Sequence, residues 1–217
     1  MTLHFDENYG ETATLRDGSR VSLRLVRPSD KELLRRGFER LSPESRYRRF
    51  LSAKSELRDD ELKYLTEVDG HNHFAIGAST TAEDGTEEGV GIARFIRSSD
   101  DPRAAEPAVA VVDDWQGRGL GTLLLARLAA AARERDVDRF QGRALAANEA
   151  ISGILEQLGS SVTVRADGGE LAVDVNLPDV PADIPVAEPT KTPMARILAM
   201  VAHGMLDVRR FFTGTQR

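Results

Sequence analysis

Cysteine is absent from all 217 residues. That excludes disulfide scaffolding, thiolate zinc sites and any cysteine nucleophile, and it points to a reduced, cytoplasmic setting. Histidine is scarce, at four residues. His71 and His73 sit two apart near Asp69, but with no thiol and no third spaced histidine no metal site is expected. Long hydrophobic runs are also missing. The longest apolar stretch, around Leu120 to Ala132, is broken by Arg127 and is too short to span a bilayer. The first ten residues are acidic and polar, without the apolar core of a secretory leader. An excess of positive charge is lacking too. A formal charge of −6 gives no long-range attraction to nucleic acid or to an anionic membrane.

What is present suits one domain with an appendage. Hydrophobic residues make up 41% and charged residues 29%, enough to bury a core and keep a soluble surface. The charge is uneven. Residues 15–63 carry fourteen Lys/Arg against nine Asp/Glu, whereas residues 64–101 carry two against eight. Either the first block serves an anionic ligand and the second a cationic one, or both simply face water.

Turn chemistry and periodicity divide the chain into elements, with no internal repeat. Strands over Thr12–Arg16 and Arg20–Val26 flank the hairpin signal Asp17-Gly18. Ser29-Asp30-Lys31-Glu32 predicts a capping box opening a helix to about Arg40, and Ser42-Pro43-Glu44 opens another to about Leu51. A third helix is predicted over Asp59–Val68. A second hairpin joins His73–Thr80 to Gly89–Arg97, and Ala108–Val112 is a further strand. After a glycine-rich turn, Leu120–Arg135 has the strongest helical pattern of the chain. Strand Phe140–Ala147, helix Asn148–Leu158 closed by Gly159, and short strands Val162–Arg165 and Glu170–Leu177 complete the domain. Hairpins, then helices, then a mixed run predict an α+β domain with a mainly antiparallel sheet over residues 1–177.

At Pro178 the composition changes. Five of the nine prolines fall between Pro178 and Pro193, which predicts a semi-rigid linker over 178–193. Beyond it, residues 194–217 place Met194, Ile197, Leu198, Val201, Met205, Val208 and Phe212 at helical spacing. This amphipathic helix must bury its stripe, against its own domain or as a homo-oligomer contact.

Chemistry concentrates in Val111-Val112-Asp113-Asp114-Trp115-Gln116-Gly117-Arg118-Gly119-Leu120-Gly121-Thr122. A strand ends, glycines alternate through a tight turn, and a long helix begins. Such a helix start presents unpaired N–H groups to an anion, and Arg118 adds positive charge. The Walker pattern is excluded because no lysine precedes the Thr122 hydroxyl, and G-x-G-x-G in mid-chain is not the dinucleotide fingerprint. The alternative is a purely structural glycine turn, with Trp115 as packing.

Gln116-Gly117-Arg118-Gly119-Leu120-Gly121 resembles the Q/R-x-x-G-x-G/A pyrophosphate motif of the GCN5-related N-acetyltransferase (GNAT) superfamily. Downstream, Asn148 and Gly159 are similar to the superfamily's N-x-x-A…L-G element, with the alanine one position early at Ala150. Upstream, Leu25-Val26-Arg27-Pro28 and the run from Gly37 to Phe50 resemble bacterial protein-lysine acetyltransferases. The resemblance covers about Arg20 to Leu177. It implies the GNAT fold, acetyl-CoA as cosubstrate, and an acceptor amine on a protein lysine or a small molecule.

By that resemblance, Val111 and Val112 pair their main chain with pantetheine, and Gln116, Gly117, Arg118, Gly119, Leu120, Gly121 and Thr122 hold the pyrophosphate. Asn148 holds the far end of the arm, its plain alternative being a helix cap. Lysine is protonated at neutral pH, so a general base is needed. Glu106, ten residues before Gln116, occupies the superfamily's position for it; the alternative is a surface glutamate beside Pro107. The position of the superfamily's tyrosine general acid holds Leu155, and a catalytically weak acyl-CoA-binding module is the reading this favours. Without cysteine, an enzyme of this kind transfers acetyl directly and not through a thioester on the protein.

Overall fold

The computed structural model describes residues 3–50, 54–145, 162–167 and 170–177. The expected linker 178–193, the tail helix 194–217 and the helix from Asn148 to Leu158 lie outside them.

Local chemistry accounts for the first half. Strands β1 (Gly10–Thr14) and β2 (Arg20–Leu25) form the first hairpin, its turn passing through Gly18 at φ 85°. Val21 and Leu23 are buried while Arg20 and Ser22 face solvent, the alternation of a half-covered strand. Helices α1 (Lys31–Glu39), α2 (Pro43–Phe50) and α3 (Asp59–Thr66) follow. Proline opens α2, and the Ser42 hydroxyl caps it by accepting the Ser45 N–H at 3.1 Å.

The capping box expected at Ser29 is not the device used. A 3-10 turn over Pro28–Asp30 precedes α1. The Asp30 carboxylate accepts the Arg27 N–H at 2.8 Å and the Arg24 guanidinium at 2.7 and 2.9 Å. Glu32 turns outward to Arg35 instead, at 2.7 Å. Helix α3 stops before Val68, where the Thr66 hydroxyl donates to the Leu62 carbonyl at 2.7 Å.

Strands β3 (His73–Thr81), β4 (Glu87–Arg97) and β5 (Ala104–Val111) continue the sheet, and helix α4 (Leu120–Arg133) leads to β6 (Arg139–Leu145). Strands β7 (Val162–Asp167) and β8 (Glu170–Asn176) close it. The eight strands run in the order β1-β2-β3-β4-β5-β6-β8-β7, and every neighbour is antiparallel except β5 and β6. This is the α+β, mainly antiparallel sheet expected. Strand β5 begins four residues before the expected Ala108.

The two faces of the sheet are covered differently. Helix α4 packs on one, its Leu124 and Leu128 fully buried with Phe74, Ile76 and Phe95. The fit is close enough that a methyl on Gly91 would lie 2.9 Å from a Leu124 methyl. Helices α1 and α3 cover the other face over small residues, Gly77 and Gly89 among them.

Buried arginines tie the N-terminal segment to α4 and to the turn that follows it. Arg127, interrupting the apolar run, donates to both Glu11 carboxylate oxygens at 2.7 and 2.6 Å, and the Tyr9 hydroxyl donates to Glu11 at 2.7 Å. The Arg127 hydrogen bonds hold the Glu11 carboxyl below the usual carboxylate range. Arg135 donates to the carbonyls of Phe5, Gly70 and Ala131 and lies over the Phe74 ring.

The two charge blocks do not form separate electrostatic faces. Lys31 pairs with Glu67 at 2.9 Å, Arg40 with Glu88 at 3.1 Å, and Arg24 reaches Glu87 at 3.4 Å. Charges of the basic front segment and the acidic middle pair because α1 packs against α3 and β4 while β2 stands one strand away from β4.

Candidate active site

Strand β5 carries the geometry that matters. Its parallel pairing with β6 is confined to Ala104 with Arg139 and Ala105 with Phe140. Beyond Ala105 the two strands separate, while β5 stays paired with β4 to Val111 and β6 stays paired with β8 to Leu145. Glu106 is the first residue past the last paired position.

Hydrogen-bond parity explains the split. Ser98 N–H donates to Ala104 O at 2.9 Å and Val112 N–H donates to Val90 O at 3.1 Å. Even-numbered residues of β5 therefore turn their backbone groups toward β4, and odd-numbered ones toward β6. Arg103, of odd parity, accepts Asp138 N–H at 2.9 Å on that side. Pro107 is next to face β6 after Ala105 and has no N–H to offer. Proline is tolerated here because its missing donor faces the opening and not the β4 ladder.

The same parity revises one expectation. Val112 cannot offer its amide to a ligand in the opening, because Val90 already accepts it. Val109 and Val111 are the residues whose backbone faces the gap. Sequence reasoning missed Val109. Counting back from the glycines does not reveal parity, which needs the register.

The turn after β5 is built by charge and hydrogen bonds. The Gln116 side-chain amide donates to Val111 O at 3.1 Å and to Ser45 Oγ at 3.3 Å, joining the turn to α2. Arg40 donates to Asp114 at 2.7 Å, and Ser42 N–H to Asp113 at 3.3 Å. Trp115 packs against the core, as expected of it. Gly117 and Gly119 take φ of 75° and 93°, a left-handed conformation that disfavours any side chain. Gly119 is the N-terminal cap of α4. The backbone N–H groups of the first helical turn, Leu120, Gly121 and Thr122, have no intrahelical partner. This is an anion cradle in geometry as well as in spacing.

Arg118 is engaged by the protein's own groups. Its guanidinium donates to Asp17 at 3.0 Å, to the Ser19 hydroxyl at 3.1 Å and to the Asp114 carbonyl at 2.6 Å, and it stacks over Trp115 at 4.8 Å. The Ser19 N–H foremost, with Arg118, holds the Asp17 carboxyl below its ordinary range. The positive charge that the turn sequence offers is thus met by the β1–β2 hairpin.

On the sheet face of α1 and α3, His73, Ile96 and Glu106 form one cross-strand row, with Arg94 diagonal to Glu106. Arg94 is 2% exposed and bonds the His73 ring at 3.1 Å. Burial, with the Arg94 charge, pushes the His73 imidazole down to about 4, so it is neutral at pH 7 and accepts from Arg94. Tyr64 of α3 lies 4.9 Å from the His73 ring. Burial raises its phenol, with Arg94 opposing and Glu106 reinforcing the shift, so all four groups share one neighbourhood. Beside them an apolar cleft, part of it open to solvent, runs between α1, α3 and the sheet. Leu33, Phe38, Leu65, Ile92, Ala110 and Val112 help to line it. No group of three or more His, Asp or Glu placed to hold a metal occurs among the described residues, and none of their helices is long and apolar enough to cross a membrane. Asn148 and Leu155 lie outside them.

A sheet that splits beside a glycine-capped helix defines a class of proteins that lay a phosphate-bearing cofactor between two strands. A family model described as an acetyltransferase (GNAT) domain matches residues 20–161, and the chain belongs to that family. It is 37% identical over 166 residues to acetyltransferase Pat of Mycolicibacterium smegmatis, covering 76% of this chain and 48% of that protein. It is 34% identical over 146 residues to an acetyltransferase of Pseudomonas aeruginosa, covering 67% and 77%. The chain thus spans about half the length of the first of these relatives. Among solved structures, the GNAT domain of S. lividans PAT superposes with a TM-score of 0.66 at 27% identity, covering 80% of this chain and 99% of that domain.

Proposed function

We propose that the chain transfers acetyl from acetyl-CoA to an amine, and that the acceptor is a lysine side chain of a protein. The observation that carries this is the separation of β5 from β6 at Glu106, directly upstream of the glycine cradle. Two unpaired strand edges accept an amide-bearing arm as an added strand would be accepted. Val109 and Val111 supply the β5 edge, the N–H groups from Leu120 to Thr122 take the pyrophosphate, and Asn148 is assigned the far side of the arm. The protein-lysine acceptor is supported by the resemblance over residues 25–28 and 37–50 and by the relatedness to Pat. A cytoplasmic location suits a chain without cysteine.

Glu106 acts as the general base. It takes a proton from the acceptor ammonium, directly or through water. The amine nitrogen then bonds to the thioester carbonyl carbon and loses a further proton to solvent, the carbon–sulfur bond breaks, and the departing thiolate is protonated from solvent. The cleft under α1 and α3 lies on the Glu106 face of the sheet and is the side from which the acceptor enters.

Two measurements test this. CoA and acetyl-CoA raise the melting temperature, because binding to the native state alone stabilises it. Acetyl-CoA with a lysine-bearing protein releases free thiol, and Glu106→Gln slows that release ~10²-fold or more at pH 7 while the stabilisation by CoA persists. Stabilisation without thiol release from any protein or small amine would make the chain a binding module. Absence of stabilisation would remove the acetyl-CoA assignment.

A further inference from the structure

We propose that Arg16, carried by the β1–β2 hairpin, binds a phosphate group of the cofactor at the start of α4, and that Arg118 serves to hold the hairpin there. The inference rests on the acetyl-CoA reading and adds to it a residue 103 positions away from the glycine turn.

The two arginines beside Gly119 differ in what already engages them. Arg118 is engaged within the protein: its guanidinium is paired with Asp17, bonded to Ser19 and the Asp114 carbonyl, and stacked on Trp115. The N–H groups so engaged reach a ligand only by giving up those contacts. Arg16 lies against the cap of α4, where a Cβ on Gly119 would meet its Nε at 3.4 Å and its Cγ and Cδ at 3.8 Å. Its side chain is exposed, and among the described residues its guanidinium makes no hydrogen bond and no ion pair. A cation at the positive end of a helix without an anion is electrostatically unfavourable, and a phosphate there relieves both.

The hairpin that carries Arg16 is held in place. Arg16 N–H donates to Arg118 O at 3.4 Å, Leu15 N–H to Ser19 O at 2.8 Å, and Gly18 N–H to Leu15 O at 3.0 Å. Ser19 N–H closes onto Asp17 at 3.0 Å. The Arg118–Asp17 pair therefore fixes the tip of the hairpin against the turn, with Arg16 facing the cradle. A Cβ at Gly119 would meet Arg16 only at ordinary contact distance, so it is the left-handed φ of 93° that calls for glycine there.

CoA carries two phosphate sources, the pyrophosphate and the 3′-phosphate, and the test separates them. Binding of CoA, dephospho-CoA (no 3′-phosphate) and pantetheine (no phosphate) is measured by calorimetry for the wild-type chain, Arg16→Gln and Arg16→Lys. Arg16→Gln weakens CoA about tenfold, as expected for loss of one charge-assisted contact. Arg16→Lys recovers part of that loss, and pantetheine binding is unchanged. An equal loss for CoA and dephospho-CoA assigns the pyrophosphate, and a loss for CoA alone assigns the 3′-phosphate. A change below threefold for both nucleotides, or an equal weakening of pantetheine, overturns the proposal. If the wild-type chain itself fails to bind CoA, it is the acetyl-CoA reading that falls.

Discussion

The two faces of strands β3 to β5 are made by the same backbone yet serve opposite ends. Toward α4 stand Phe74, Ile76, Phe95 and the methyl groups of Ala93 and Ala105, all fully buried. Toward α1 and α3 stand His73, Gly77, Arg94, Glu106, Ala108 and Ala110, small residues interleaved with ionisable ones. The first face is filled and the second leaves a cleft. Packing density is thus distributed unequally across one sheet, and the titratable groups gather where packing is incomplete.

Removing volume from the filled face has the largest expected effect. Leu124→Ala leaves a cavity against Gly91 and Phe95 and lowers unfolding free energy by about 3 kcal/mol in urea titrations. On the cleft face a charge is the sensitive element. His73 is neutral in the folded chain with its imidazole down at about 4, against about 6.5 when unfolded. As pH falls through 6.5 the unfolded chain takes up a proton that the folded one refuses. Stability therefore declines from about pH 6.5 and levels off below about pH 4, by on the order of 2 kcal/mol. His73→Gln, whose side chain can still accept from Arg94, removes that part of the decline. An unchanged pH profile would mean that His73 is not held neutral.

The smallest effects come from adding a single methyl to each face. Gly91→Ala presses on Leu124 at 2.9 Å and costs about 1–2 kcal/mol. Gly77→Ala meets Val26 at 3.6 Å, an ordinary contact, and changes stability by less than about 0.5 kcal/mol. Equal costs for the two would erase the distinction between the faces.

Much of this molecule was legible one residue at a time. The hairpins around Asp17-Gly18 and Asp84-Gly85, the proline opening α2 and the extent of α4 follow from local turn, cap and period rules. The glycine turn also read correctly as the start of a long helix. What failed to read depended on partners in other elements. The capping box at Ser29 gave way to Asp30, whose carboxylate accepts the Arg27 N–H and the Arg24 guanidinium of β2. The two charge blocks read as separate faces but pair across α1, α3 and β4. Val112 looked equivalent to Val111, and only the β4 register distinguishes an amide that faces the opening from one that does not.

By itself the sequence determined the sites of strain and of missing chemistry: left-handed glycines at 117 and 119, an unpaired helix start at Leu120, and no thiol for a covalent intermediate. These are local, since φ preferences, caps and residue identity act within a few positions. Tertiary structure decided which arginine stays uncommitted at the cradle, where β5 leaves β6, and which sheet face keeps a cleft beside Glu106. Those outcomes depend on neutralisation and register between strands and helices far apart in the chain. No window of sequence contains both partners.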